Sequence, residues 1–476
     1  RSLKKAIYIL GFFAIFSCQD DEIYNINGEI DDTFFIGELE WVRAYGGSGE
    51  DTGRSLISTQ DGGYAIFGFS NSTDGELAGK TTAVNDYWLL RLDDAGEVLW
   101  SKTYGGSRDD QGQSIIQTAD GGYAITGYAM SSDGDSSNNE GFHDNWILRL
   151  DSKGNILWER SFGFSGHDHS YDIIQTADGG FFFVGFLDIT SARSDGYDEK
   201  AIPSTRHGVG EFWGTKIDGN GNLQWRRYFG GTNNDRAYSV VPAWDGGYIM
   251  AGASESNDFD ISNSRGSYDF WVIKISEEGQ MIWERSYGGS GIDIAYDISL
   301  TNDGAYVVAG HSFSSDNDIS NPIGESDIWM IKIDKQGDLL WEKSIGGTAS
   351  ELARSIHIAK RGGYIIAGNS KSIDGDSSNN FGENDMWVLR TDDNGQVLWQ
   401  QSFGGQDLDF AFDVVENADK SIVLIGESVS PDMAGISHKG STDLVVVKIR
   451  KFSRLFTIIF SYSFIVRIML LPMVKP

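Results

Sequence analysis

Four segments of this 476-residue chain carry the same set of oxygen-bearing side chains. Each set consists of two Asp separated by one residue, a Ser two residues further on and a last Asp seven residues after the Ser. Oxygen atoms at such alternate positions can converge on a hard cation, as they do when an EF-hand loop wraps calcium. The four sets are Asp133, Asp135, Ser137 and Asp144; Asp258, Asp260, Ser262 and Asp269; Asp316, Asp318, Ser320 and Asp327; Asp374, Asp376, Ser378 and Asp385. We therefore predict calcium at these Asp residues.

The same Asp residues have a second interpretation as braces of the loop. The match to an EF-hand is partial, because the glycine at the sixth position is missing, the last ligand is Asp rather than Glu, and no helical pattern flanks the segment. Asp in loops commonly accepts hydrogen bonds from nearby backbone. The last Asp also recurs at Asp86, where the rest of the pattern is lost. Both interpretations stay open.

Histidines give a second candidate site, because four of the seven gather in neighbouring segments. Imidazoles can bind a transition metal or act as a general base. The alternative is a group of surface histidines beside a variable insertion, which covers residues 186–212. The ligand-binding candidates are His143, His167, His169, Tyr197, Arg206 and His207.

These residues belong to a repeat that covers most of the chain. One tryptophan recurs with a similar surrounding pattern, and subtraction of its positions gives steps of 59, 58, 67, 58, 58 and 58 residues. The positions are Trp41, Trp100, Trp158, Trp225, Trp283, Trp341 and Trp399. Repeats of this length are typical of solenoids and propellers.

One repeat predicts four short strands. Residues 114–118, 123–128, 145–150 and 156–162 are β-compatible runs, which we call strands A, B, C and D. Glycine-containing turns at 119–122 and 151–154 join A to B and C to D. Antiparallel four-stranded units repeated around an axis are propeller blades.

The phase of the repeat predicts how the ring closes. The chain enters on a D strand at residues 37–41 and leaves on a C strand at 443–449, with seven each of A, B and C between them. The first strand can complete the last blade and so remove open sheet edges. We therefore predict an all-β, seven-bladed β-propeller over residues 36–450, closed three-plus-one.

The strand order also assigns two faces to the ring. The D–A connections and the long B–C loops lie together on one face, which we call the loop face. Long polar loops on a rigid scaffold commonly carry binding sites. A ligand is therefore expected there or at the mouth of the axial channel.

The two ends differ from the repeat. Residues 1–18 have a basic start, an apolar stretch and Cys18, and residues 15–18 resemble a bacterial lipobox. We predict that Cys18 is lipidated and anchors the chain to a membrane; an ordinary signal peptide is the alternative. Residues 19–35 are predicted to form an acidic linker, and the hydrophobic tail at 451–476 to be disordered or not native. A transmembrane helix is the alternative for the tail, but Arg467 and Pro472 argue against it.

Charge restricts the partners. A formal net charge of −31 excludes nucleic acid as the expected partner, because phosphate binding needs clustered Lys and Arg. The same charge favours divalent cations.

The Asp-x-x-Gly-x-x-x-Trp pattern at 151–158 resembles the tryptophan-docking repeat of quinoprotein (PQQ-type) propellers. The Tyr-Gly-Gly-Ser and Thr-Ala-Asp-Gly-Gly-Tyr patterns are similar to those of Bacteroidota-type surface lipoproteins with β-propeller repeats. The acidic residues after Cys18 are similar to the signal that directs such lipoproteins to the outer face of the outer membrane, although a solvated linker explains them equally. The resemblance covers residues 37–449 and implies surface location and binding rather than a particular reaction.

We predict a non-enzymatic, monomeric cell-envelope lipoprotein that binds a glycan, a protein or another envelope component through its loop face. The predicted location is the outer membrane, facing the cell exterior, with the periplasmic face as alternative. Calcium is the only cofactor expected. Two other functions stay open: a propeller enzyme, either carbohydrate-active or quinone-dependent, and a scaffold subunit of an outer-membrane complex. A glycosidase needs two unequal carboxylates across a cleft, and the many Asp residues permit no choice among them.

Overall fold

The computed structural model describes residues 37–164, 166–187 and 210–451. Within these residues the chain forms seven four-stranded antiparallel sheets and one short 3-10 helix, Gly75–Leu77. The predicted all-β, seven-bladed β-propeller is therefore confirmed. Cys18, the linker, the tail after Lys451, Tyr197, Arg206 and His207 lie outside the described residues, whereas Lys451 itself ends the last strand.

Strand β1 (Gly37–Tyr45) precedes the first complete blade. Blade 1 contains β2 (Asp51–Ser58), β3 (Tyr64–Ser70), β4 (Asp86–Leu92) and β5 (Val98–Tyr104). Blade 2 contains β6 (Asp110–Gln117), β7 (Tyr123–Ala129), β8 (Asp144–Leu150) and β9 (Ile156–Phe162). Blade 3 contains β10 (Asp168–Gln175), β11 (Phe181–Leu187), β12 (Glu211–Ile217) and β13 (Leu223–Phe229).

Blade 4 contains β14 (Asp235–Pro242), β15 (Tyr248–Ser254), β16 (Asp269–Ile275) and β17 (Met281–Tyr287). Blade 5 contains β18 (Asp293–Leu300), β19 (Tyr306–Ser312), β20 (Asp327–Ile333) and β21 (Leu339–Ile345). Blade 6 contains β22 (Glu351–Ile358), β23 (Tyr364–Ser370), β24 (Asp385–Thr391) and β25 (Val397–Phe403). Blade 7 contains β26 (Asp409–Glu416), β27 (Ile422–Ser428) and β28 (Asp443–Lys451).

The ring closes through blade 7. Its strand order is β1-β28-β27-β26, so β1 supplies the outer strand. The pairing runs from Gly37 opposite Lys451 to Tyr45 opposite Leu444. The predicted three-plus-one closure is therefore confirmed, and it gives the outer edge of β28 a partner.

The blades contact one another through two tryptophan series. The C-strand tryptophans, such as Trp146, are fully buried between sheets. Six of the seven D-strand tryptophans instead lie on the C–D turn of the next blade, where the turn glycine leaves room for the ring, and Trp399 lies against Gly37 of β1. Trp158 donates from Nε1 to the carbonyl of Gly219 at 3.2 Å, and Trp283 does the same with Lys335 at 3.2 Å. The D-strand series therefore joins neighbouring blades.

The A strands line the axis and are longer than predicted. In blade 2 the strand begins at Asp110, four residues before the predicted start at Ser114. The reason is a β-bulge, at which the register with β7 shifts between Gly112 and Ser114 and leaves Gln113 without an opposite residue. A bulge interrupts the two-residue alternation, which obscures a strand in the sequence. The register shifts at the corresponding place in all seven A strands.

The described part of the chain contains no helix with the length and apolar character needed to cross a membrane.

Candidate functional site

The bulges place a ring of large side chains in the axial channel. The unopposed residue of each A strand lines a cavity of about 190 Å³. Its seven members, which we call the channel ring, are Arg54, Gln113, Tyr171, Tyr238, Tyr296, Arg354 and Phe412. Each blade thus contributes one side chain, and the seven include two Arg, one Gln, three Tyr and one Phe, so the ring is chemically asymmetric although the scaffold repeats.

Aromatic and cationic side chains make close contacts with their neighbours around this ring. The ring centroids of Tyr171 and Tyr238 are 5.1 Å apart, and those of Tyr238 and Tyr296 are 5.2 Å apart. The Arg54 guanidinium lies 3.9 Å from the centroid of Phe412, and the Arg354 guanidinium lies 4.2 Å from that of Tyr296. The channel therefore presents two cations and three phenols within one small cavity.

The two arginines have few anionic partners. Glu427 approaches Arg54 to 3.9 Å, while the buried Nε of Arg54 lacks a hydrogen-bond acceptor. Burial lowers the pKa of Arg54, and the like charge of Arg354 adds to this effect against the opposing influence of Glu427. Arginine nevertheless stays protonated. Among the described residues, Arg354 has no carboxylate within ion-pair distance.

Next to the channel ring lies a second circle of side chains, which we call the carboxylate belt. Its members are Ser55, Ser114, Asp172, Ser239, Asp297, Ser355 and Asp413. Each Asp accepts hydrogen bonds from both neighbouring blades. Asp172, for example, accepts from Ser114 Oγ at 2.9 Å and from the backbone N–H of Val240 at 2.9 Å. The belt therefore ties inner strands together.

The belt carboxyls are partly buried, and their acidity changes accordingly. Burial raises the pKa of Asp297 to about 7, and the negative charges of Asp172 and Asp413 add to the rise. Burial likewise raises the pKa of Asp413 to about 6 and raises that of Asp172. Hydrogen bonds from serine and backbone donors oppose each shift without cancelling it.

Three of the predicted histidines come together where blades 2 and 3 meet. Nδ1 of His143 lies 3.0 Å from Nδ1 of His167 and 3.3 Å from Nε2 of His169. We call these residues the histidine cluster. Nδ1 of His169 is also 3.3 Å from the hydroxyl of Tyr171, a member of the channel ring. The cluster therefore lies beside the channel, at the loop-face end of strand β10.

The ring of His169 contacts two aromatic side chains, Tyr128 and Phe186. It stacks on Tyr128 with a centroid distance of 3.8 Å and an interplanar angle of 10°. Burial lowers the pKa of His169 to about 2, with further lowering from His143, His167 and Arg236. The imidazole is therefore neutral at physiological pH, the form that binds metals.

The structure does not bring the side chains of each predicted calcium loop to one point. In the first loop, Asp133 accepts from the N–H of Ser107 at 2.8 Å and Asp135 from that of Gly105 at 3.2 Å. Ser137 donates to Glu159, and Asp144 accepts from the N–H of Glu140 at 2.7 Å. Among the described residues, the histidine cluster is the one group of three or more metal-ligating side chains with donor atoms within 4.8 Å of one another. The geometry thus favours the brace interpretation of the Asp residues.

The other three loops repeat the arrangement of the first Asp. Asp258, Asp316 and Asp374 accept from backbone N–H groups at 2.9, 2.7 and 2.8 Å. The second Asp of these loops, Asp260, Asp318 and Asp376, accepts from a glycine N–H at 3.0, 3.1 and 3.2 Å. The last Asp, Asp269, Asp327 and Asp385, accepts at 2.6, 2.7 and 2.6 Å from a residue four positions earlier.

Sequence reasoning missed the channel ring and the belt. Both sets could have been found from an irregularity in the repeat. The unopposed residue at each bulge and the residue after it are Arg-Ser, Gln-Ser, Tyr-Asp, Tyr-Ser, Tyr-Asp, Arg-Ser and Phe-Asp in blades 1 to 7. The second member is always Ser or Asp, which indicates a structural position. The first member varies in charge and size, which indicates a position free to serve a ligand.

Comparison with known proteins adds little to this picture. No family model matches the chain. Over 211 residues the chain is 28% identical to the regulatory protein FlaEY of Caulobacter vibrioides, a match that covers 40% of this chain and 22% of FlaEY. The chain therefore spans less than a quarter of that relative's length.

Solved structures with a similar fold include other propellers. The WD40 domain of Neurospora crassa Pan2 has a TM-score of 0.45 and 10% identity, covering 84% of this chain and 89% of that domain. YCF48 bound to a D1 peptide has a TM-score of 0.43 and 11% identity, covering 92% and 100%. A glucose dehydrogenase has a TM-score of 0.36 and 9% identity, covering 85% and 98%. Likenesses at this level do not bear on function.

Proposed function

We propose that the chain is a binding protein whose axial channel holds a carboxylate-bearing sugar at the end of a glycan. The observation that carries this proposal is the pair of arginines among three tyrosines in the channel of a molecule with a net charge of −31. The two arginines offer an anionic group cationic partners in the channel of an otherwise acidic protein. Guanidinium groups bind carboxylates with paired, charge-assisted hydrogen bonds.

The shape of the channel favours one terminal group. A cavity of about 190 Å³ is smaller than the 300–1,000 Å³ typical of pockets that enclose a whole drug-sized ligand. Tyrosines supply both flat apolar faces, suited to a sugar ring, and hydroxyl groups that can hydrogen-bond to it. The rest of a longer ligand would then contact the loop face.

The neighbouring carboxylates favour binding over hydrolysis. A glycosidase uses two carboxyl groups that reach the scissile bond. In the belt, Asp172, Asp297 and Asp413 each accept hydrogen bonds from the backbone and from serine. These hydrogen bonds connect neighbouring blades, so the three carboxyl groups have a structural role.

Calorimetric titration of the purified protein with uronic-acid oligosaccharides, and with their neutral counterparts, tests the proposal. Arg354→Met keeps much of the side-chain volume and should weaken binding by about ten-fold or more, since hydrogen bonds to charged groups are worth about 1.5–3 kcal/mol. Arg450→Met, which removes an exposed arginine near the end of β28 that is remote from the loop face, is the matched control and should leave affinity unchanged. Equal binding of acidic and neutral sugars, or equal affinity of Arg354→Met and the unaltered protein, would contradict the proposal. Binding of acidic peptides but not of acidic sugars would also contradict it and would indicate a polypeptide ligand.

We further propose that the protein is a lipoprotein of the cell envelope, displayed at the outer membrane. This proposal rests on the sequence around Cys18 and is independent of the channel. Labelling with a radioactive fatty acid should mark the unaltered protein and fail to mark Cys18→Ala. Labelling of both or of neither would contradict it.

A further inference from the structure

The histidine cluster has the geometry of a metal site. Two ligands of a tetrahedral Zn²⁺ with Zn–N distances of about 2.0–2.1 Å lie about 3.3–3.4 Å apart. Nδ1 of His143 is 3.0 Å from Nδ1 of His167 and 3.3 Å from Nε2 of His169. These two spacings are close to what one ion requires, and all three donor atoms lie within 4.8 Å of one another.

The backbone fixes these side chains in place. His143 and His167 face each other across a parallel bridge between the start of β8 and the start of β10, and the N–H of Asp168 donates to the carbonyl of His143 at 2.7 Å. His169 follows two residues after His167 and is held by its stack on Tyr128. Ligands positioned by strands and by packing need little rearrangement on binding.

The carboxylate of Asp109 lies near His143, on the side of the ring that faces away from the histidine cluster. Oδ2 of Asp109 lies 3.8 Å from Nε2 of His143, the nitrogen that points away from the cluster. Metal-ligating histidines usually donate this second N–H to a carboxylate, carbonyl or water, which orients the ring. Nε2 of His143 is buried and has no other partner among the described residues.

The cluster occurs at one blade junction only among those described. A side-chain set that merely braced the junctions would recur with the repeat, as the Asp braces do. The equivalent positions at the six other junctions hold Asn85, Asp109 and Gln111; Gly210, Asn234 and Arg236; Tyr268, Ile292 and Ile294; Ser326, Ser350 and Leu352; Asn384, Leu408 and Phe410; and Thr442, Glu50 and Thr52. None of these sets contains a histidine.

We propose that His143, His167 and His169 bind one divalent transition-metal ion where blades 2 and 3 meet. Imidazole ligands suit Zn²⁺, Cu²⁺, Ni²⁺ and Co²⁺ rather than calcium. Three protein ligands leave a fourth position open, and the exposure of His167 gives solvent access to it. The site lies beside the channel through the contact of His169 with Tyr171, but it does not depend on the proposed glycan binding.

Titration of the purified protein with Co²⁺ in excess Ca²⁺, followed by visible absorption and calorimetry, tests this site. We expect one Co²⁺ per chain, with the absorption bands of cobalt bound to imidazole. His167→Gln, at an exposed position whose loss should not affect folding, should weaken binding by at least ten-fold, and His143→Gln should do the same. His357→Gln, which removes a histidine outside the cluster, should bind like the unaltered protein.

Two results would overturn the proposal. The first is an absence of Co²⁺ binding by the unaltered protein. The second is binding that His167→Gln and His143→Gln leave unchanged, which would assign the ion to other side chains.

Discussion

At the scale of single residues, the carboxylate belt makes the stability of the folded protein depend on pH. Asp297 accepts from the N–H of Ile356 at 2.8 Å and from Ser239 Oγ at 2.8 Å, so one side chain contacts the blades on both sides. Its folded-state pKa of about 7 lies above the ordinary value of 3.8. Between these two values the folded protein holds a proton that the unfolded chain has lost. The stabilising contribution is therefore complete below pH 3.8 and is lost as pH rises through 7.

Replacement of Asp297 by Asn should flatten this dependence. We expect the free energy of unfolding of the unaltered protein to fall from pH 5 to pH 8, with a contribution from Asp297 on the order of a few kcal/mol. Asp297→Asn cannot ionise, so its stability should change less over the same range, although the lost acceptor lowers it overall. Urea unfolding at the two pH values measures this. Asp338→Asn, in an exposed turn, is the control, and an identical pH dependence in Asp297→Asn and the unaltered protein would refute the assignment.

Sequence and structure differ most at this scale. His143, His167 and His169 could be chosen from the sequence because a local excess of one rare residue is visible without knowledge of the fold. The channel ring could not be chosen, because Tyr171, Tyr238 and their counterparts meet only after seven distant strands surround one axis. Their types vary from blade to blade, and this variation looks like noise in a repeat.

At the scale of elements, the bulged A strand depends on its partner. Each B strand places a glycine opposite the bulge, and an added Cβ there would lie against the carbonyl of the A strand. At Gly310 that carbonyl belongs to Ile294, and the distance would be 1.8 Å. No L side chain fits without displacing backbone. The glycine of the B strand is therefore what allows the bulge, and through it the channel ring, to exist.

Gly310→Ala should consequently be strongly destabilising. Overpacking in a well-packed interior costs about 1–3 kcal/mol, occasionally more, and here the obstacle is backbone. Thermal and urea unfolding should show a loss of about 2–3 kcal/mol or more. Gly210→Ala is the matched control, because its nearest neighbour would be a side-chain atom of Phe186 at 3.5 Å. A loss of similar size in both variants would show that the bulge does not impose the requirement.

At the scale of the whole molecule, the propeller ring is closed by a strand from the other end of the chain. β1 contributes the outer strand of blade 7, and the seven registers leave no described sheet with fewer than four strands. Blade number, strand order and closure could all be predicted from the sequence, because they follow from counting a periodic pattern. The bulges could not, since each interrupts the alternation from which a strand is inferred.

Deletion of residues 37–45 should expose the outer edge of β28 in blade 7. The strand Asp443–Lys451 is rich in Val and Ile, and an open apolar edge promotes association with other chains. We expect this variant to form oligomers in size-exclusion chromatography and to lose thermal stability. Replacement of Leu39 by Ser, an exposed side chain of β1, should preserve the monomer profile. A monomeric, equally stable deletion variant would contradict the role given to β1.

The same pairing sets an order on how the chain acquires its structure. Blade 7 pairs Gly37 with Lys451, so its strands come from both ends of the propeller sequence. The four strands of every other blade are consecutive in sequence. Contacts between residues so far apart in sequence form slowly, because the entropy cost of closing a long loop comes before the favourable energy of the contacts. Blades 1 to 6 can each assemble once their own segments are available, while the seventh is delayed until β1 and β28 are both present. During that interval β1 is an unpaired strand, and the half-made ring is the species most in need of a chaperone.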